Sequence, residues 1–153
     1  MATHANTEYQ ATLRTEPDDV PARCVIVVDE ALPPGLAANA AAVLALTLGA
    51  RAPGLRGPDI DDADGARLPG LIDRGLPILK APAADLSALR ARAVEAGVEV
   101  IGFPRFGQAT TDYEAFRANV AQTPTAELEY LGLLLAGPKR MVDKLTGSLP
   151  LLR

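Results

Sequence analysis

Two carboxylates, Asp29 and Glu30, close an apolar run just before Gly35, where an Ala-rich helical stretch begins. A carboxylate beside a helix start can act as general base while free N–H groups of the first turn stabilise an oxyanion. That is equipment for hydrolysing a small ester or amide. A phosphate site at the same place needs glycines or a basic residue. This turn has one glycine, two prolines and two acids, which repel an anion. Compensation of the helix dipole, or a carboxylate tied up in hydrogen bonds, is the competing explanation of the pair. Asn39, one turn into the helix, is the odd polar residue of the segment. Its amide either lies exposed or faces a cleft formed with Asp29 and Gly35.

Three other groups merit the same question. Gly107 to Thr111 follows an apolar run, and Thr111 with Glu114 reads as a capping box. That explains Thr111 but leaves Gln108 and Thr110 without a structural duty, so both are candidates for a cleft. Lys139, Arg140 and Lys144 form a dense basic group, read either as a solvated face or as an anion or RNA contact. The stretch Asp59 to Gly65 is rich in Asp and invites a calcium reading. With Gly65 as the loop glycine, the first ligand position falls on Ile60 and the last on Leu71, and neither side chain binds a cation. A solvated turn is expected there, and no metal or cofactor.

The single histidine, His4, lies in a polar stretch without helical or strand periodicity, 1–23, which reads as an arm. Mechanisms that need a histidine inside the fold, from Ser-His-Asp hydrolysis to His-ligated zinc, are closed to this chain. The single cysteine, Cys24, sits in an apolar run, where a buried inert thiol is expected. No leader-like segment or run of about 18 apolar residues is present. Cytoplasmic location without membrane contact is the expectation. A net charge of −4 argues against non-specific nucleic-acid binding.

A chain of 153 residues fits one domain, taken here as 24–153. Its core must be aliphatic, because only three Tyr and three Phe are present and no Trp. Arg23 to Val28 is a continuous β-branched run, as in a strand covered on both faces. Leu36 to Leu48 carries six alanines and reads as a helix, with Gly49 as its natural stop. The Pro-, Gly- and Asp-rich stretch 51–75 predicts one tight turn at Asp64-Gly65 between short edge strands. Leu76 to Ala81 reads as a short strand, with Pro77 marking an edge position or a strand start, Asp85 to Ala96 as a helix closed by Gly97, and Val98 to Phe103 as a strand. Tyr113, Phe116 and Val120 give a third helix its apolar spacing. Leu128 to Ala136 is a core strand, and Gly137-Pro138 opens a last short helix. Strands alternating with helices mean a three-layer α/β domain: a mixed sheet of about four strands flanked by helices.

The C-terminal segment, Gly137-Pro138, then Val142-Asp143-Lys144-Leu145-Thr146-Gly147, then Leu149 and Leu151, resembles that of the type 2 peptidyl-tRNA hydrolases. The opening unit from Val25 to Gly49 resembles theirs more loosely. From Cys24 onward the chain also resembles the bacterial family "domain of unknown function two thousand", which shares the turn Pro33-Pro34-Gly35-Leu36-Ala37-Ala38-Asn39. The resemblance implies the type 2 peptidyl-tRNA hydrolase-like fold and a homodimer. It does not imply the activity. Those enzymes carry Gly-Lys-x-Ala-Ala-Gln-x-x-His at the helix start. Laid on this chain from Gly35, the Lys falls on Leu36, the Gln on Ala40 and the His on Val43. Their Asp-Ala-Gly-x-Thr-Gln segment has no copy, with Gly107 to Thr111 only a distant stand-in. The leading expectation is therefore a homodimeric binding or accessory domain for a small molecule, inactive on peptidyl-tRNA. The alternative is a small ester or amide hydrolase with Asp29 or Glu30 as base. RNA binding through the basic group is a third, thinner reading.

Overall fold

The computed structural model describes residues 20–153. Most of the expected arm, and His4 with it, lies outside the described residues. Strand β1 (Arg23–Asp29) leads into α1 (Pro34–Arg51), a hairpin of β2 (Ile60–Asp61) and β3 (Arg67–Leu68), then β4 (Ile78–Ala81) and α2 (Ala83–Glu95). Strand β5 (Glu99–Pro104), α3 (Tyr113–Ala121), β6 (Tyr130–Gly137) and α4 (Lys139–Thr146) complete the order. The main sheet runs β4-β1-β6-β5. β1 pairs parallel with β4 and antiparallel with β6, and β5 pairs antiparallel with β6. The expected four-stranded mixed sheet is present.

Its centre is buried on both faces because β1 and β6 are apolar at successive positions. Cys24, Ile26 and Val28 point to the α1 side, while Val25 and Val27 point to the side of α2 and α4. In β6, Leu134 and Ala136 join the first cluster, and Leu133 and Leu135 the second. The β5–β6 register shifts between Phe103, opposite Gly132, and Pro104, opposite Tyr130. Leu131 is the extra residue of this bulge, and the phase flips across it: Leu131 joins the α1 side and Tyr130 the opposite side. The bulge brings the start of β6 to the end of β5, where the site lies.

The open edge of β4 is covered by the end of the chain. Lys80 donates its N–H to Pro150 O and Leu152 donates its N–H to Ile78 O. Leu149 and Leu152 are the residues that pack inward, whereas Leu151 is exposed. Covering an edge in this way removes a template for unwanted pairing. The turn at Asp64-Gly65 is present, with Gly65 at φ +82°, but its two strands form a separate sheet.

Three expectations need correction. Gly49 does not end α1, which continues to Arg51, since a glycine on an exposed face costs too little to stop an otherwise Ala-rich helix. Thr111 does not cap α3. The cap is Asp112, whose Oδ1 accepts the N–H groups of Glu114 at 3.0 Å and Ala115 at 3.4 Å. Thr110, expected to be free of structural duty, accepts the Asp112 N–H at 3.1 Å. Helix α3 itself buries no side chain, and its apolar face meets an open cleft.

Candidate functional site

Asp29 is the one charged residue among the described residues that is fully buried. It ends β1 at the carboxyl edge of the sheet. One oxygen accepts the Ala31 N–H at 2.9 Å, and the other takes the Arg105 guanidinium at 2.7 Å. Arg105 follows β5 directly and reaches back across the start of β6, where it also donates to Tyr130 O at 3.3 Å. Its backbone N–H donates to Glu129 O, and its Nε lies 3.6 Å from the Glu129 carboxylate. The pair thus ties together the ends of β1 and β5 and the start of β6. A carboxylate engaged on both oxygens is compensated, as burial requires.

On the α1 face of the sheet, the edge strand β5 turns Ile101 and Phe103 upward. Helix α1 turns Ala37, Ala40, Ala41, Leu44 and Leu48 inward. Its flank, Val43 and Thr47, forms one wall of a cleft over β5. Tyr113 and Phe116 of α3 form the opposite wall, their rings 5.8 Å apart. The cleft has a volume of about 330 Å³, with Thr110, Thr111 and Asp112 at its polar end. Thr47 cannot offer its proton, because its hydroxyl donates to Val43 O at 2.9 Å. Gly107 lies against the Phe103 ring so closely that a Cβ would overlap it.

The two places where chemistry was expected are therefore separate. Asp29 does not line the cleft, and Glu30, Gly35 and Asn39 are exposed on the turn and the outer side of α1. Asn39 does not line the cleft, although Val43, one turn further along the helix, does. Of the two loop candidates, Thr110 lines the cleft and Gln108 is exposed. Lys139 is paired with Asp143 at 2.7 Å, and Asp143 also holds Arg23 at 3.0 Å. Lys144 is exposed beside Met141 and Leu145. Sequence reasoning missed Arg105, which no motif marks, and gave Tyr113 and Phe116 only as the apolar spacing of a helix, not as a cleft wall. The scarcity of aromatic residues was a usable signal: three of the six gather at this one cleft.

Electrostatics elsewhere is ordinary. The Lys139 ammonium bonded to Asp143, with Arg23 beside it, holds that carboxyl below the usual range. Asp59 is lowered by the Gly70 N–H and by Arg56. Burial pushes the Cys24 thiol up, as expected of an inert cysteine. Among the described residues no group of three or more His, Cys, Asp or Glu is placed to hold a metal ion. None of the described helices is long and apolar enough to cross a membrane.

Comparison with known proteins places this geometry. The family described as "Protein of unknown function (DUF2000)" matches residues 22–153. The fold is similar to the solved structure of a protein of unknown function, Atu0240, from Agrobacterium tumefaciens strain C58. The TM-score is 0.78 at 18% identity, over 84% of this chain and 96% of that one. No curated protein matches the chain.

Proposed function

We propose that this chain, which belongs to the DUF2000 family of proteins of unknown function, is a small-molecule binding domain without hydrolase activity. The observation that carries this reading is the cleft between α1 and α3. It is concave, mostly apolar, and has a few polar groups at one end, which is the common form of a ligand pocket. It lies apart from the one buried carboxylate.

The alternative, hydrolysis with Asp29 as base, is disfavoured by the partners on both carboxylate oxygens and by its place outside the cleft. Within the proposed type 2 peptidyl-tRNA hydrolase-like fold, Val43 stands where the resembling enzymes hold His. It lines the cleft wall and cannot transfer a proton. Leu36 stands where they hold Lys. Peptidyl-tRNA incubated with the purified protein should lose no peptide above the blank rate; turnover comparable to a genuine hydrolase would defeat the proposal.

A second copy of the chain is the proposed partner, against the outer face of α1. No charged residue occurs from Ala31 to Ala50, and Leu46 is exposed on that face. A helix whose outer face carries no charge and an exposed Leu is suited to being covered. A two-fold axis can bring this face onto itself without like-charge contact. Sedimentation should show a dimer that Leu46→Glu converts to monomer; a monomeric wild type at high concentration defeats this part.

A further inference from the structure

Charge, more than shape, limits what the α1–α3 cleft can take. Of the described residues lining it, Asp112 is the only carboxylate, and none is Lys, Arg or His. Asp112 Oδ1 is spent on the Glu114 and Ala115 N–H groups, and Oδ2 has no hydrogen-bond partner among the described residues. The positive end of the α3 dipole is thereby already compensated by Asp112 and is no lure for an anion.

The cations of the described elements around it are each paired with a carboxylate. Helix α1 carries none before Arg51, and that residue is paired with Glu99 at 2.6 Å. On α3, Arg117 is paired with Glu114 at 3.3 Å. Arg105, adjacent in sequence to the lining residue Pro104, turns its guanidinium to Asp29 and Glu129. The apolar body of the cleft comes from Val43, Leu44, Ile101, Phe103 and Phe116.

Resting on the binding function proposed above, we infer that the ligand is an apolar molecule, aromatic or aliphatic, whose polar end is neutral or cationic: an alcohol or an amine. Carboxylates and phosphate esters are selected against. Val43 to Phe116 solvate the body of such a molecule, and Asp112 with the Thr111 hydroxyl meets its donor at the open end.

A matched series tests the charge rule: phenylpropylamine, phenylpropanol and phenylpropanoate share one body and differ in the head group. Titrated at neutral pH and followed by amide chemical shifts at Val43, Ile101 and Phe116, the amine should bind about fivefold more tightly than the carboxylate, the upper end for one exposed charge. Asp112→Asn keeps a competent helix cap. It should reduce the amine-to-carboxylate ratio to about twofold or less. Carboxylate binding equal to or tighter than amine binding, or a preference that survives Asp112→Asn, overturns the inference and leaves the binding function standing. Absence of shifts at these residues with all three probes overturns both.

Discussion

Strands β1 and β6 and the edge formed by β5 and α3 belong to one sheet and its cover, yet they treat apolar side chains in opposite ways. In β1 and β6, nearly every position is buried and the two faces close against α1 on one side and α2 with α4 on the other. In β5 every residue is only half-buried, and α3 buries nothing. A core strand with spare apolar surface would be a defect. An edge strand with spare apolar surface, walled by two helices, has the common form of a ligand pocket. The molecule closes its centre and leaves one edge open.

Truncation in the closed region should give the largest effect. Leu134→Ala removes a fully buried side chain of β6 and should cost about 2–5 kcal/mol in a denaturant melt. A loss below about 1 kcal/mol would mean that the centre is looser than its burial implies. The Asp29–Arg105 pair lies at the boundary between the two regions. Arg105→Ala strands a buried carboxylate and should cost about 3 kcal/mol, near the low end for such pairs because Arg105 is partly exposed. A near-neutral result would show that water reaches Asp29 and that the boundary is open as well.

Smaller effects sharpen the account at the other end of the sheet. Val20 packs against the α1-side core, and Pro21 O accepts from Arg74 at 2.6 Å. Deleting residues 1–19 should leave the melting temperature within about 2 °C, whereas deleting 1–22 should cost about 1 kcal/mol from half-buried Val20. Equal effects from the two deletions would contradict this. The smallest effect is electrostatic. Asp143 has its carboxyl lowered by Lys139 and Arg23, so the folded state favours the ionised form. Its contribution is full above the unfolded carboxylate range and is lost as pH falls through the lowered folded value. Acid unfolding below about pH 4 should therefore be less steep in Asp143→Asn. An unchanged acid limb would show the pair to be without consequence.

What could be read in the sequence follows the same division. Arg23 to Val28 and the Leu run of β6 announce themselves because a strand buried on both faces has no phase to misjudge. Helix α1 was legible as a helix but not in orientation: apolar residues all round it conceal which side faces in, so Asn39 and Gly35 were expected at a cleft they do not meet. The α3 spacing of Tyr113, Phe116 and Val120 gave the helix correctly but not its depth, since periodicity marks an apolar face without saying whether protein or ligand covers it. Arg105 was invisible because its partner, Asp29, lies far away in the chain and meets it only through the β6 bulge. Thr110 was reached for a reason that failed, the lack of a structural duty, although it does line the cleft.

The central claim is that the apolar face of α3 serves a ligand and not the core, and Phe116→Ala tests it most directly. Thermal melts of the variant, with and without phenylpropanol, report both roles in one experiment. The account predicts that phenylpropanol stabilises the wild type and not the variant, and that the free variant melts within about 3 °C of wild type, under about 1 kcal/mol for a half-exposed ring. A free variant that melts as low as Leu134→Ala, with its response to phenylpropanol intact, would contradict it.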